Sequence, residues 1–169
     1  MTTATSGKED ILAAIEEAIN KLVALATPLN EEQLNTVPYA GSWTAGQLLS
    51  HVTKSIHGMG GIIMKPTEPA QRDPGEKIAG LRDTFLDFST KMQSPDFILP
   101  DPGPYEKEPT IQALTGAFDK MKAGSIPANL NELLTGLPFG EVTKLELLHF
   151  VLYHTQRHGE QMRRIVADL

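Results

Sequence analysis

All twelve prolines of this 169-residue chain lie between Pro28 and Pro138. Proline lacks a backbone donor and clashes with the preceding turn, so no long helix runs unbroken through such positions. The two proline-free ends, 1–27 and 139–169, are therefore where long helices are expected. In the first, Ile11, Leu12, Ile15, Ile19, Leu22 and Leu25 recur at helical spacing. Ser6-Gly7-Lys8-Glu9 has capping-box spacing, which predicts a helix opening at Ser6 and ending at Thr27-Pro28. In the second, Thr143-Lys144-Leu145-Glu146 is again a capping box, and nothing breaks the pattern before Leu169. A helix of that length spans about 37 Å.

The middle third is punctuated. Asn30–Gln33 predicts a short helical turn. Thr44-Ala45-Gly46-Gln47 predicts an N-cap at Thr44, followed by one apolar face of Leu49, Val52, Ile56, Met59 and Ile63. Gly58, Gly60 and Gly61 weaken the end of this helix and mark either close packing or an early stop. Further helices are expected over Gly75–Met92 and Thr110–Ala123, with a turn of helix at Leu130–Leu134. Pro95–Pro109 carries five prolines and reads as a long loop. No proline-free run alternates as a strand does. The expected fold is a single all-α domain over 1–169, an up-down four-helix bundle with an extra helix and long proline-rich loops.

Composition narrows the chemistry. There is no cysteine, so no disulfide, thiolate ligand or cysteine nucleophile is available. A metal would have to sit on His, Asp or Glu. The net charge of −6 and a pI near 5.3 argue against a phosphate-backbone partner, and Lys144, Arg157, Arg163 and Arg164 are too sparse to reverse that. No apolar run approaches the roughly 18 residues that span a bilayer. Met1–Asp10 lacks the basic end and apolar stretch of a signal peptide, so a cytoplasmic location is expected.

The five histidines are His51, His57, His149, His154 and His158. His154 and His158 are four apart, on one face of the last helix, and Leu147, Val151, Met162 and Ile165 place that face in the core. Burying two unpartnered imidazoles costs about 1–3 kcal/mol each, so something must compensate. Two histidines at this spacing can share one metal ion, but a third ligand must then come from another helix. His51, beside the apolar stripe of its helix, is the best candidate. His149 lies about 140° from His154 on the wheel, and His57 about 120° from His51, so both are expected to be bystanders. Trp43 reads as a packing anchor at a helix start. Arg157, Glu160, Arg163 and Arg164 read as a solvated face.

Three segments taken in order resemble a known family. These are Ser42-Trp43-Thr44-x-x-Gln47-Leu-Leu-x-His51, then Pro138-Phe139-Gly140 with Thr143-x-x-Glu146, then His154-Thr-x-Arg157-His158-x-x-Gln161. Together they are similar to the DinB-like superfamily of four-helix-bundle proteins. That resemblance implies a divalent metal, commonly zinc or nickel, on three histidines, which here correspond to His51, His154 and His158. It also implies a small-molecule substrate and a homodimer. Some relatives are thiol-dependent transferases or isomerases.

An open three-histidine site suits a metal-dependent hydrolase or a thiol S-transferase, activating water or a low-molecular-weight thiol. With no cysteine in the chain, that thiol would be a cosubstrate. No general base is identifiable from the sequence. The alternative is a non-catalytic stress-response module that uses the bundle for binding or dimerisation.

Overall fold

A computed structural model describes residues 2–169, with side chains from Gly7 onward. The first helix opens at Thr2 rather than at the expected Ser6, whose side chain lies outside those described. Helices are α1 (Thr2–Ala26), α2 (Glu31–Leu34), α3 (Ala45–Ile63), α4 (Ile78–Phe85), α5 (Lys107–Ser125) and α6 (Lys144–Ala167). A short 3-10 turn covers Asp96–Ile98. Capping boxes at Asn30, Thr44 and Thr143 set the starts of α2, α3 and α6, each with a reciprocal pair between the cap and the glutamine or glutamate three residues on.

The four long helices form the expected bundle around one apolar core. Residues buried there include Ile15 and Leu22 of α1, Leu48 and Ile56 of α3, Leu114 and Met121 of α5, and Leu148 and Met162 of α6. Chain order and spatial order differ. α1 packs chiefly on α6 and α3 chiefly on α5, while α3 also meets α6. α1 and α3, although consecutive long helices, are thus diagonal across the core.

Directions follow from side-chain ties. Lys107 at the start of α5 donates to the carbonyls of Thr27 and Leu29, just past the end of α1. Lys8, near the start of α1, donates to Ile126 and Ala128 beyond α5. These two helices are antiparallel. α3 and α5 are parallel: a Cβ at Gly46 would strike the Tyr105 ring at 2.6 Å, ahead of α5, and one at Gly60 would meet Met121 Cβ at 3.2 Å, late in it. Lys144 Nζ donates to the Lys65 carbonyl at 2.6 Å, so α6 starts where α3 ends. The long helices therefore run up, down, down, up, a four-helix bundle as expected but without the alternating up-down order. Strict alternation suits short connections, but more than forty residues separate α3 from α5, enough for a crossover that returns the chain to the same end. Gly60 marks close packing, and α3 does not stop early.

Three segments depart from the sequence expectation. The helix expected over Gly75–Met92 is confined to α4. Asp87 accepts from the Ser89 amide and from the Ser89 and Thr90 hydroxyls, a local turn that competes with helix. In α5, Pro109 sits in the first turn, where a missing N–H is harmless. Leu130–Leu134 is not helical: β1 (Leu133–Leu134) pairs antiparallel with β2 (Val142–Thr143). Leu133 N–H also donates to Glu68 O, so non-local carbonyls satisfy this backbone.

The Glu146 carboxylate, fully buried, shows how the loop before α4 is held. It accepts both Arg72 guanidinium nitrogens at 2.7 and 2.8 Å, and the amides of Thr143 and Lys77 at 2.8 and 2.9 Å. Burial pushes its pKa up, but these donors together hold it below the ordinary glutamate value.

Candidate metal centre

His51 lies two turns into α3, and His154 and His158 lie on consecutive turns of α6. Because α3 and α6 pack antiparallel, these turns face one another near the end of the bundle that holds Trp43. The three Nε2 atoms converge: His51 is 2.9 Å from His158 and 3.3 Å from His154, and His154 is 3.1 Å from His158. All three residues are buried. No other such cluster of His, Cys, Asp and Glu occurs among the described residues. His57 is exposed, and His149 is half-buried with Nδ1–H donating to Leu145 O. Neither joins the group.

The outer nitrogens decide what the inner ones can do. A neutral imidazole carries one N–H. His51 Nδ1–H donates to Ile98 O at 2.8 Å, and His158 Nδ1–H donates to Gln161 Oε1 at 2.8 Å. The Nε2 atoms of both rings are then bare lone pairs facing each other. Burial disfavours the charged form and lowers all three histidines; His154 falls well below the usual value and His158 falls to about 3. Protons are thus poor candidates for relieving the lone-pair repulsion. A divalent cation fits the donor set. In tetrahedral zinc sites, nitrogens about 2.0–2.1 Å from the ion lie roughly 3.3 Å apart, close to the separations seen here. An acceptor on the second ring nitrogen is the usual means of orienting such ligands.

Aromatic rings surround the triangle. Trp43 lies 4.9 Å from His51 and stacks at 21° over His158, 6.4 Å away. Phe150 stacks on His154 at 5.2 Å and on Phe139 at 4.2 Å. Trp43 is therefore part of the site wall rather than a packing anchor alone. The histidines form the floor of a cavity of about 1060 Å³, walled on one side by α3 and α6 and on the other by the segment after α4.

Arg157 is not part of a solvated face. Half-buried, it donates to the carbonyls of Phe85, Asp87 and Thr90 and so ties the segment after α4 to α6. Arg163 and Arg164 do pair with Glu160 at the surface, as expected. Sequence reasoning missed Ile98, Ser55, the loop phenylalanines and the role of Arg157. Only Ser55, four residues after His51, carries a spacing that could have marked it.

A family model of the DinB superfamily matches residues 14–162. The chain belongs to the DinB superfamily. Among solved structures, this superfamily member is similar to YfiT from Bacillus subtilis, described as "a probable metal-dependent hydrolase with an unusual four-helix bundle topology". The identity is 16%, the match covers 94% of this chain and 85% of YfiT, and the TM-score is 0.62. At that identity the likeness establishes the shared four-helix fold. A search for curated relatives gave no match. Among the described residues, no helix is long and apolar enough to cross a membrane.

Proposed function

We propose that this DinB-superfamily protein is a metal-dependent enzyme in which His51, His154 and His158 hold one divalent ion, zinc or nickel. The observation that carries this reading is the convergence of three buried Nε2 atoms, those of His51 and His158 left as bare lone pairs by hydrogen bonds at the opposite ring nitrogen. Structural zinc sites usually close with four protein ligands, whereas catalytic sites keep a position open. Three protein ligands at the floor of a cavity match the second type. When bound, the ion supplies Lewis acidity toward water or a low-molecular-weight thiol.

The chain's own residues orient and enclose. The Ile98 carbonyl and Gln161 hold the rings of His51 and His158. Trp43, Phe150 and Phe139 limit water on the ring side. The description of YfiT favours hydrolysis over thiol transfer, and with no cysteine here a thiol would arrive as cosubstrate. Elemental analysis of untagged protein tests the reading. About one equivalent of zinc or nickel is expected, and it should be lost in the His51→Ala/His154→Ala variant. Metal that survives in that variant would overturn the ligand assignment.

A further inference from the structure

The chain has few aromatic residues, ten in all, and they are unevenly placed. Its one tryptophan, Tyr39 and five of its six phenylalanines line the cavity over the histidines; Phe118 is the one phenylalanine that does not. Phe150 and Phe139 build the inner wall. Phe88 and Phe97 stand at the mouth and are 40% and 65% exposed. Of the eight large apolar side chains that the fold leaves exposed among the described residues, five belong to this cavity: Tyr39, Phe88, Met92, Phe97 and Leu99. Exposed apolar groups gathered around one concavity, rather than scattered, mark a surface that a ligand covers.

A second, independent feature points inward. Ser55 is 1% exposed and lines the same cavity one helical turn beyond His51. Its hydroxyl has no hydrogen bond to the described protein, although the comparable hydroxyls of Thr53 and Ser125 bond back to their own helices. A buried hydroxyl left open toward a cavity suits a polar atom of a bound molecule. The volume, about 1060 Å³, lies at the upper end of small-molecule sites.

We infer that the substrate is a ring-bearing small molecule, its aromatic body held among Trp43, Phe150 and the mouth phenylalanines and its polar reacting group directed at the three histidines beside Ser55. The inference rests on the metal-site reading for the fate of the polar group, but not for the preference for a ring. Burying one phenyl ring against such walls is worth about 1.5–3 kcal/mol, which converts to roughly tenfold to a hundredfold in affinity.

Two probes separate these elements: benzohydroxamate and acetohydroxamate share one metal-seeking group, and only the first carries a ring. Their affinities are read by calorimetry on zinc-treated and on chelator-treated full-length protein, with the emission of Trp43, the sole tryptophan, as a local reporter. The ring is expected to give about tenfold or more in both forms, with Trp43 quenched only by the aromatic probe. Phe88→Ser and Phe97→Ser, at exposed positions that do not threaten folding, should cut the advantage several-fold without changing zinc uptake. A ratio near one on protein that has taken up a full equivalent of zinc overturns the inference and leaves the metal reading standing. A preserved ratio on protein that takes up no zinc does the reverse. No binding of either probe to such protein counts against both.

Discussion

His51 Nε2 and His158 Nε2 lie 2.9 Å apart across 107 residues of sequence, while a carbonyl oxygen and a carboxamide oxygen accept the Nδ1–H on the far side of the two rings. Two lone pairs so placed repel unless a positive charge lies between them. Much of what can be measured on this protein follows from that pair.

Removing metal should cost stability. The bound ion would tie α3 to α6, and binding to the folded state alone adds about 2.7 kcal/mol when free metal exceeds the dissociation constant a hundredfold. At about 2–4 °C per kcal/mol for a chain of this size, excess chelator should lower Tm by roughly 5–10 °C. Scanning calorimetry with and without chelator reads this. An unchanged Tm on protein known to carry metal would argue that the ion sits elsewhere.

Metal-free protein should lose stability in acid over a defined window. Burial lowers the pKa of His51, His154 and His158 in the folded state, His158 to about 3, while unfolded imidazoles titrate near 6.5. Between those values the unfolded chain binds more protons, so stability falls as pH drops below about 6.5 and these groups contribute no slope above it. Urea midpoints at pH 8, 6 and 5 should show this, with a shallower slope for His158→Gln. Metal content should fall over the same range, because protons compete for the ligand nitrogens.

Gln161→Leu should weaken metal binding without unfolding the bundle. It removes the acceptor that holds His158 with Nε2 bare. Losing such a partner typically costs about 10–100-fold in affinity. A competition titration against a chromogenic chelator measures it, with circular dichroism as the control for folding. Wild-type affinity in this variant would show that the hydrogen bond does not orient the ring.

Arg157→Ala should loosen one wall of the cavity and spare the metal. Arg157 holds the carbonyls of Phe85, Asp87 and Thr90. Without it, amide hydrogen exchange over residues 86–94 should rise about tenfold or more, while metal stoichiometry stays near one. Exchange unchanged in that segment would mean that the Asp87 turn holds it unaided.

Local interactions made much of this molecule legible. Thr44–Gln47 and Thr143–Glu146 bond within one turn, so spacing alone located the starts of α3 and α6. The proline-free ends gave the two terminal helices, and the four-residue step from His154 to His158 put both rings on the buried face. Periodicity also selected His51 over His57 and His149. What it lacked was any measure of the distance between helices. That His51 meets the pair depends on α3 and α6 packing antiparallel, and the parallel run of α3 with α5 depends on a long crossover. Neither leaves a trace in local pattern. The same limit hid the cavity. Phe88, Phe97 and Ile98 lie in the stretch between α4 and α5, on a loop and a single 3-10 turn too short for a period to assign a face. Their positions are set by distant partners: the Arg157 guanidinium for the first segment and the His51 ring for the second. The sequence by itself determined the helices, their buried faces and the ligand types available. Only the tertiary structure decided which faces meet, because contacts between distant residues are set by how the helices cross and by how the loops return.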